Sequence, residues 1–298
     1  MERGTTWSER SLVGAGMSRA TFPRIGEWPK IVRFESWARF LVLPAAGVEI
    51  GAPMPAAIAL ARGVGIAAAL LAFGYLANSL GDRAMDRDPA KNALVAARCD
   101  DATLKRALAV LAIVALACCA TAPTIARVAT IVCLASGWAY SLGPRCKRFA
   151  IVGTLMNVLN FTPLLVVGVA DAAPPRLAWI AAAFAALLVQ NQLLHEAADA
   201  PEDRVGALRT TFLALGARAA ARLAALSGVA LAAVACALAM RSGWPAAIAA
   251  CALALPFVVV FPWLLARRGG SPEAMARVRV AQRWTAMIAG ASLAVLAS

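Results

Sequence analysis

The stretch "GIAAALLAFGYLANSLGDRAMDRD", residues 65–88, decides the fold. It is continuous apolar helix material until Asn78, and then meets Asp82, Arg83, Asp86, Arg87 and Asp88 within a few positions. A bilayer core needs roughly 20 mostly apolar residues per helix. Read outward, the run spans 56–81 and is long enough. Working along the chain, similar runs bounded by charge, proline or glycine lie at about 34–52, 104–122, 124–142, 149–170, 177–199, 214–239, 244–266 and 276–297. The pair at 104–122 and 124–142 is joined only by "TAP", where Pro123 and the excessive combined length argue for two helices. The pattern predicts an all-α, polytopic membrane protein with about nine transmembrane helices in one bundle.

Composition points the same way. Of 298 residues, 61% are apolar and only 15% charged, with a mean hydropathy of +0.73. A soluble domain of this length would be less apolar and would scatter its charges more evenly. The seven cysteines form no CxxC pair and no metal-ligand spacing, so they are expected as small buried residues. Residues 1–30 read as a basic cytoplasmic arm ahead of a transmembrane domain at 31–298. The arm has no apolar stretch of the kind a secretory signal peptide requires.

The net charge is +13, and its placement matters more than its size. A cytoplasmic N-terminus puts on the inside the arm and the segments Arg83 to Arg106, Arg145 to Arg148, Arg204 to Arg222 and Arg267 to Arg283. Only Arg62, Arg127, Arg176 and Arg241 then remain at the outer ends. That is the distribution of the positive-inside rule. It makes anionic membrane lipids and anionic ligands better partners than nucleic acid.

In this topology the second and sixth helices both end on the cytoplasmic face. The sixth ends in "LLHEAADAPEDRVGALRTT", residues 193–211, the other acidic concentration. Positions four apart on a helix share one face. Asn78, Asp82 and Asp86 therefore form one column, and His195, Asp199 and Asp203 another, with Glu196 beside it. A helix C-terminus already carries partial negative charge and prefers Lys or Arg. Carboxylates near hydrocarbon are also costly. Two acidic columns on one face therefore call for cations, and hard divalent ions with oxygen ligands suit them. Mg²⁺ in particular takes one or two carboxylates plus substrate phosphates.

"NSLGDRAMD", residues 78–86, resembles the NxxxDxxxD motif of the UbiA superfamily of intramembrane prenyltransferases. "DAPEDRVGALRT", 199–210, resembles that family's second DxxxD motif with its trailing Gly and Thr. "YSLGPRCKR", 140–148, resembles its YS-P-x-x-K segment. Order and separation agree from about residue 30 to the end. Ser79 departs from the Asp that many members carry after the Asn.

The resemblance implies a prenyltransferase in which Asn78, Asp82, Asp86, Asp199 and Asp203 hold Mg²⁺. Asn78, Arg83, Arg145 and Lys147 would contact the diphosphate. An allylic carbocation would then be attacked by an acceptor inside the bundle, which could be aromatic, a tetrapyrrole, a sugar phosphate or lipid-like. This is leaving-group catalysis by metal and fixed positive charge.

Each residue also has a plainer reading. The aspartates could pair with Arg83, Arg87 and Arg204 in an interfacial loop, and Arg145 and Lys147 could be positive-inside residues alone. His195, the only histidine, fits proton acceptance or a helix-end hydrogen bond, and Glu196 fits metal or acceptor contact. Asn157, Asn160, Gln190, Asn191 and Gln192 could line an acceptor pocket or join helices. Phe73, Tyr75, Trp138, Tyr140 and Phe161 could face a cation or simply pack. The competing functions are a terpene cyclase of the same fold, which needs no acceptor, and a secondary transporter with intramembrane carboxylates. Transport is disfavoured because the acids gather at one face rather than at the midplane.

Overall fold

The structure, a computed structural model, describes residues 23–51, 56–86, 88–89, 92–97, 99–169, 175–206, 208–268 and 271–297. Arg87 and most of the basic arm lie outside the described residues. Among the described residues there are helices and turns and no strands.

Two short helices, α1 (Trp28–Ile31) and α2 (Phe34–Trp37), lead through a 3₁₀ turn into α3 (Val42–Gly51). The expected run at 34–52 is therefore broken. Trp37 anchors the break: its ring is buried and its indole N–H donates to Val32 O at 2.6 Å. Next come α4 (Ala56–Asp82), α5 (Asp101–Cys119), α6 (Thr124–Ser141) and α7 (Val152–Phe161). Asp100 caps α5 by accepting from the Thr103 N–H at 2.6 Å, which satisfies one of the free donors of the first turn.

The second half is α8 (Pro175–Val205), α9 (Thr211–Ala239), α10 (Trp244–Leu255), α11 (Phe261–Arg268) and α12 (Pro272–Ala297). α8 runs past the expected end at 199 and keeps Asp203 on the helix. α9 is kinked at Gly216, whose φ of 75° sets its first turn apart from the rest.

Five helices are long and apolar enough to cross a membrane by length and composition: Ala57–Asp82, Asp101–Cys119, Arg176–Val205, Thr211–Ser242 and Trp244–Arg267. The remaining expected spans are shorter or more charged. The 149–170 run gives only Val152–Leu165 as an apolar helical piece, and α12 carries Arg277, Arg279 and Arg283. Ile113 on α5, Ile131 on α6, Leu226 on α9, Ile248 on α10 and Ile288 on α12 all point outward, as lipid-facing residues do.

Two cores organise the bundle. One packs α4, α5 and α6 around Ile66, Leu70, Ala126 and Cys133; the other packs α8, α9, α11 and α12 around Leu193, Phe212, Phe257 and Met275. Gln190 shows how the second core tolerates a distortion. Pro256–Val260 between α10 and α11 is wound as π-helix, so the Phe261 N–H bonds Pro256 O, and Pro262 has no N–H to offer. Phe257 O is left for Gln190 Nε2 at 2.7 Å, which also donates to Ala224 O at 2.9 Å. A Cβ on Gly228 would lie 2.2 Å from Phe257 O, so only glycine allows this approach. Gln190 is thus a helix-joining residue.

All seven cysteines are free. Cys99, Cys119 and Cys133 are buried as expected, whereas Cys251 is exposed.

Candidate active site between the two halves

A cavity of about 490 Å³ lies between the two cores. Its apolar depth is made by Leu70, Leu71, Phe161, Leu164 and Leu188, and its polar end by Asn78, Tyr140, Gln192 and His195. Asn78 on α4 and His195 on α8, which head the two acidic columns, both line it, whereas Asp82, Asp86, Asp199 and Asp203 are not among its lining residues.

At the α4 side the chain builds an ion-pair net. Lys147 Nζ donates to Asn78 Oδ1 at 3.1 Å and, at shorter range, to Asp82 Oδ1. Arg145 donates to Gly81 O at 2.8 Å and lies 3.4 Å from Asp82 Oδ1. Ser141 Oγ donates to Asn78 Oδ1 at 3.4 Å. Two local features make this possible. A Cβ at Gly81 would fall 2.5 Å from Ser141 O, so its absence lets the ends of α4 and α6 touch. Arg145 takes left-handed backbone, φ 54° and ψ 53°, at a cost of roughly 1–2 kcal/mol for a residue with a side chain. That turn folds Arg145 and Lys147 back over the end of α4. Burial presses the Lys147 ammonium below its ordinary pKa, and Asp82 opposes this.

The first column departs from the expected continuous helix. α4 ends at Asp82, and Asp86 follows in a turn whose Met85 and Asp86 amides donate to Asp82 O at 2.8 Å. Asn92 holds that turn by donating to Ser79 O at 2.8 Å and to Asp86 Oδ2 at 2.9 Å. The Ser79 side chain is buried, and its hydroxyl has no hydrogen-bond partner among the described residues. Arg83 turns away from the cavity to Asp101, 2.8 Å, and to Ala97 O, 3.0 Å.

The second column is intact on α8. His195 Nδ1 lies 3.1 Å from Asp199 Oδ2 and 3.0 Å from an Arg279 Nη. Arginine can only donate, so Nδ1 accepts from Arg279 or donates to Asp199, one at a time. Glu196 points elsewhere: its oxygens accept from Phe212 N–H at 2.8 Å, Gln192 Nε2 at 3.1 Å and Thr154 Oγ1 at 3.4 Å. Thr211 joins the same knot, 2.8 Å from Thr154 Oγ1 and accepting from Ile151 N–H at 2.8 Å.

Of the other candidates, Asn157, Asn160, Asn191 and Gln192 line the cavity, as do Tyr75, Tyr140 and Phe161. Phe73 packs into a neighbouring core and Trp138 faces outward. Motif spacing gave no hint of four arginines at the cavity wall: Arg33, Arg39, Arg279 and Arg283.

Among the described residues no three Asp, Glu, His or Cys side chains converge as a ready metal cage. The donor set nevertheless fits Mg²⁺, which completes its octahedron with waters and substrate phosphate rather than with a full protein cage. Asp82 and Asp86 at the end of α4, and Asp199 and Asp203 on α8, carry hard oxygens of that kind, though none of the four is among the residues lining the cavity.

The fold is a helical bundle enclosing a cavity of mixed lining, where Leu70, Leu71 and Leu164 stand beside Asn78, His195 and four arginines. The chain belongs to the UbiA prenyltransferase family, whose model matches residues 40–295. Solved structures of UbiA homologues share the fold. One from Archaeoglobus fulgidus bound to DMAPP and Mg²⁺ is 17% identical with a TM-score of 0.67, covering 90% of this chain and 99% of the homologue. An apo homologue from Aeropyrum pernix K1 is 19% identical at TM-score 0.60, covering 92% and 99%. A digeranylgeranylglyceryl phosphate synthase is 12% identical at TM-score 0.76, covering 92% and 98%. No curated protein matches the chain at a significant level.

Proposed function

We propose that the chain transfers an isoprenoid group from a prenyl diphosphate to an acceptor inside the membrane, with Mg²⁺ as cofactor. The observation that carries this is the shared opening: Asn78 and His195, heads of the two acidic columns, line one cavity whose depth is apolar. Homologues of the same fold bind DMAPP or GPP together with Mg²⁺.

The apolar depth would take the isoprenoid tail, and the polar end its diphosphate. When bound, Mg²⁺ supplies Lewis-acid neutralisation of the leaving group's charge. The chain's own contribution is fixed positive charge: Lys147 and Arg145, now on Asp82, stand at the place where the leaving diphosphate gathers charge. The allylic C–O bond breaks with its electron pair leaving on the diphosphate. The faces of Tyr75, Tyr140 and Phe161 shelter the carbocation from water and favour its charge. The acceptor's nucleophile closes the new bond and gives up a proton, which His195 Nδ1 takes when Arg279 is not using it. Asn78, Asp82, Asp86, Asp199 and Asp203 are the proposed ligand set. Glu196 is proposed as a positioning residue, and Arg83 as a loop anchor.

The mixed lengths of the helices fit a nine-span bundle in which α2–α3 and α7 are broken spans and α12 is amphipathic. Residues 31–298 would form that unit behind the basic arm, with the N-terminus and the opening on the cytoplasmic side. A reporter inserted at Ala96 is expected to give a cytoplasmic signal; an external one overturns the orientation.

The function is tested by incubating purified protein with Mg²⁺, a series of prenyl diphosphates and a panel of acceptors, and reading products by mass spectrometry. Prenylated acceptor is expected, dependent on Mg²⁺. A hydrocarbon or prenol product formed equally without acceptor would replace transfer with cyclisation or hydrolysis.

A further inference from the structure

Two residues with left-handed backbone, Arg145 and Ile151, bracket Lys147. Ile151 is the harder case. Its φ of 65° and ψ of −51°, with the Val152 N–H donating to Ala150 O at 2.7 Å, make a γ-turn of the rare and strained hand. A β-branched residue is among the least suited to positive φ. The Ile151 side chain is 55% exposed, so its own packing does not hold the turn.

What holds it is a hydrogen bond from the other half of the bundle. The Ile151 N–H donates to Oγ1 of Thr211, the buried first residue of α9, at 2.8 Å. The hydroxyl protons beyond it have one consistent order. Thr154 Oγ1 donates to Glu196 Oε1 at 3.4 Å, so Thr211 Oγ1, 2.8 Å away, is the donor to Thr154. Such a one-way chain strengthens its own links. It runs from α8, three residues before Asp199, to the start of α7.

From Ile151 the constraint reaches Lys147 by contact. The Gly153 N–H donates to Phe149 O at 2.9 Å, and the Phe149 N–H to Cys146 O at 3.0 Å. A Cβ on Gly153 would lie 3.2 Å from Lys147 Cα and 3.3 Å from Lys147 O, so the first turn of α7 rests on the Lys147 backbone. Lys147 Nζ in turn donates to Asn78 Oδ1 at 3.1 Å and to Asp82. Strained backbone persists only where its surroundings over-determine it, and it gathers where position matters to function.

We propose that Thr211 and Ile151 form a latch that sets the position of Lys147, so that the start of α9 governs how tightly a diphosphate is held at the end of α4. Both are positioning residues that act through Lys147. The inference rests on the prenyl-transfer reading, in which Lys147 meets the donor's diphosphate. It gives the chain just after the second acidic motif a part in holding the donor on the first.

The test uses full-length protein in nanodiscs and equilibrium binding of a geranyl thiolodiphosphate with Mg²⁺, an analogue whose C–S bond resists ionisation. Thr211→Val keeps the side chain's shape and removes its hydroxyl. It is expected to weaken binding about tenfold, whereas Thr211→Ser should stay within about twofold of the wild type. Ile151→Gly should bind like the wild type, because glycine takes a φ of 65° without strain. The two changes should not add. In the Ile151→Gly background the turn keeps its shape without the latch, and Thr211→Val should then weaken binding less than about threefold. Gly153→Ala approaches from the other side, with Thr211 intact, and should weaken binding about fivefold by pressing on the Lys147 backbone. In turnover, Thr211→Val should raise the KM of the prenyl diphosphate about tenfold and leave that of the acceptor within about twofold.

Unchanged analogue binding in Thr211→Val, whatever its thermal midpoint, overturns the latch. So does an equal loss in the wild-type and Ile151→Gly backgrounds, which would mean that Thr211 acts by another route. Failure of the underlying reading looks different. Binding that follows the expected pattern, with no prenylated product from any donor and acceptor, would keep the latch and remove the transferase reading. A wild-type protein that binds no analogue removes both.

Discussion

Asp82→Ala and Asp199→Ala are each expected to lower Mg²⁺-dependent prenyl transfer by on the order of 10³-fold. They reach that result by different routes, and the structure separates them. Asp82 holds Lys147 and Arg145 at the end of α4, so its loss removes a carboxylate and also leaves a buried ammonium without its counter-charge. Asp199 lies on an intact turn of α8 beside His195 and is 37% exposed, so its loss is expected to disturb the fold less. Asp82→Ala should therefore lower the thermal midpoint as well as activity, whereas Asp199→Ala should affect activity almost alone. Raising Mg²⁺ should partly rescue the conservative Asp199→Asn, which keeps one oxygen ligand, and should rescue Asp199→Ala less. Thermal unfolding in detergent and initial rates over a Mg²⁺ series read both effects. Near-normal turnover in both alanine variants would remove the carboxylates from the site.

The acidic columns were legible in the sequence because spacing on a helix and parity of membrane crossings are local or countable properties. Asn78 and His195 line one cavity, while the four aspartates of the columns are not among its lining residues. What spacing could not show is where a helix stops. Asp86 follows Asp82 by four, yet α4 has already ended, and Asn92 from the following loop fixes its carboxylate. The π-helical turn at Pro256–Val260 was equally hidden, since it depends on Gln190 of another helix to satisfy Phe257 O. The arginine wall was missed for a third reason. Arg33, Arg39, Arg279 and Arg283 satisfy the positive-inside rule wherever they point. Only the packing of α12 against α8, and of the turn carrying Arg39 against α4, shows that they line one cavity.

Glu196 is where adjacency to a motif misleads most, and its substitution tests the difference between holding a ligand and holding the fold. It follows His195 and precedes Asp199 by three, so a place in the metal or acceptor site was the natural expectation. The structure gives it another task. Thr210, at the start of α9, makes no side-chain cap, and the N-terminal turn of α9 is set off from the rest by the kink at Gly216. Glu196 Oε2 reaches across from α8 and accepts the Phe212 N–H at 2.8 Å, serving as the cap that α9 lacks, at the positive end of its dipole. Its other oxygen draws in Gln192 and, through Thr154 and Thr211, the start of α7.

Glu196→Leu keeps the bulk but leaves the buried Phe212 N–H unsatisfied, and is expected to cost about 2–3 kcal/mol of stability. Glu196→Gln keeps one acceptor for three donors and should cost less than the leucine. Because α7, α8 and α9 remain otherwise packed, the turnover of the folded fraction should fall by only about tenfold or less. The decisive comparison is between stability and Mg²⁺ dependence. A lowered thermal midpoint with an unchanged Mg²⁺ requirement is the result expected of a positioning residue. An unchanged midpoint with a sharply raised Mg²⁺ requirement would instead make Glu196 a ligand.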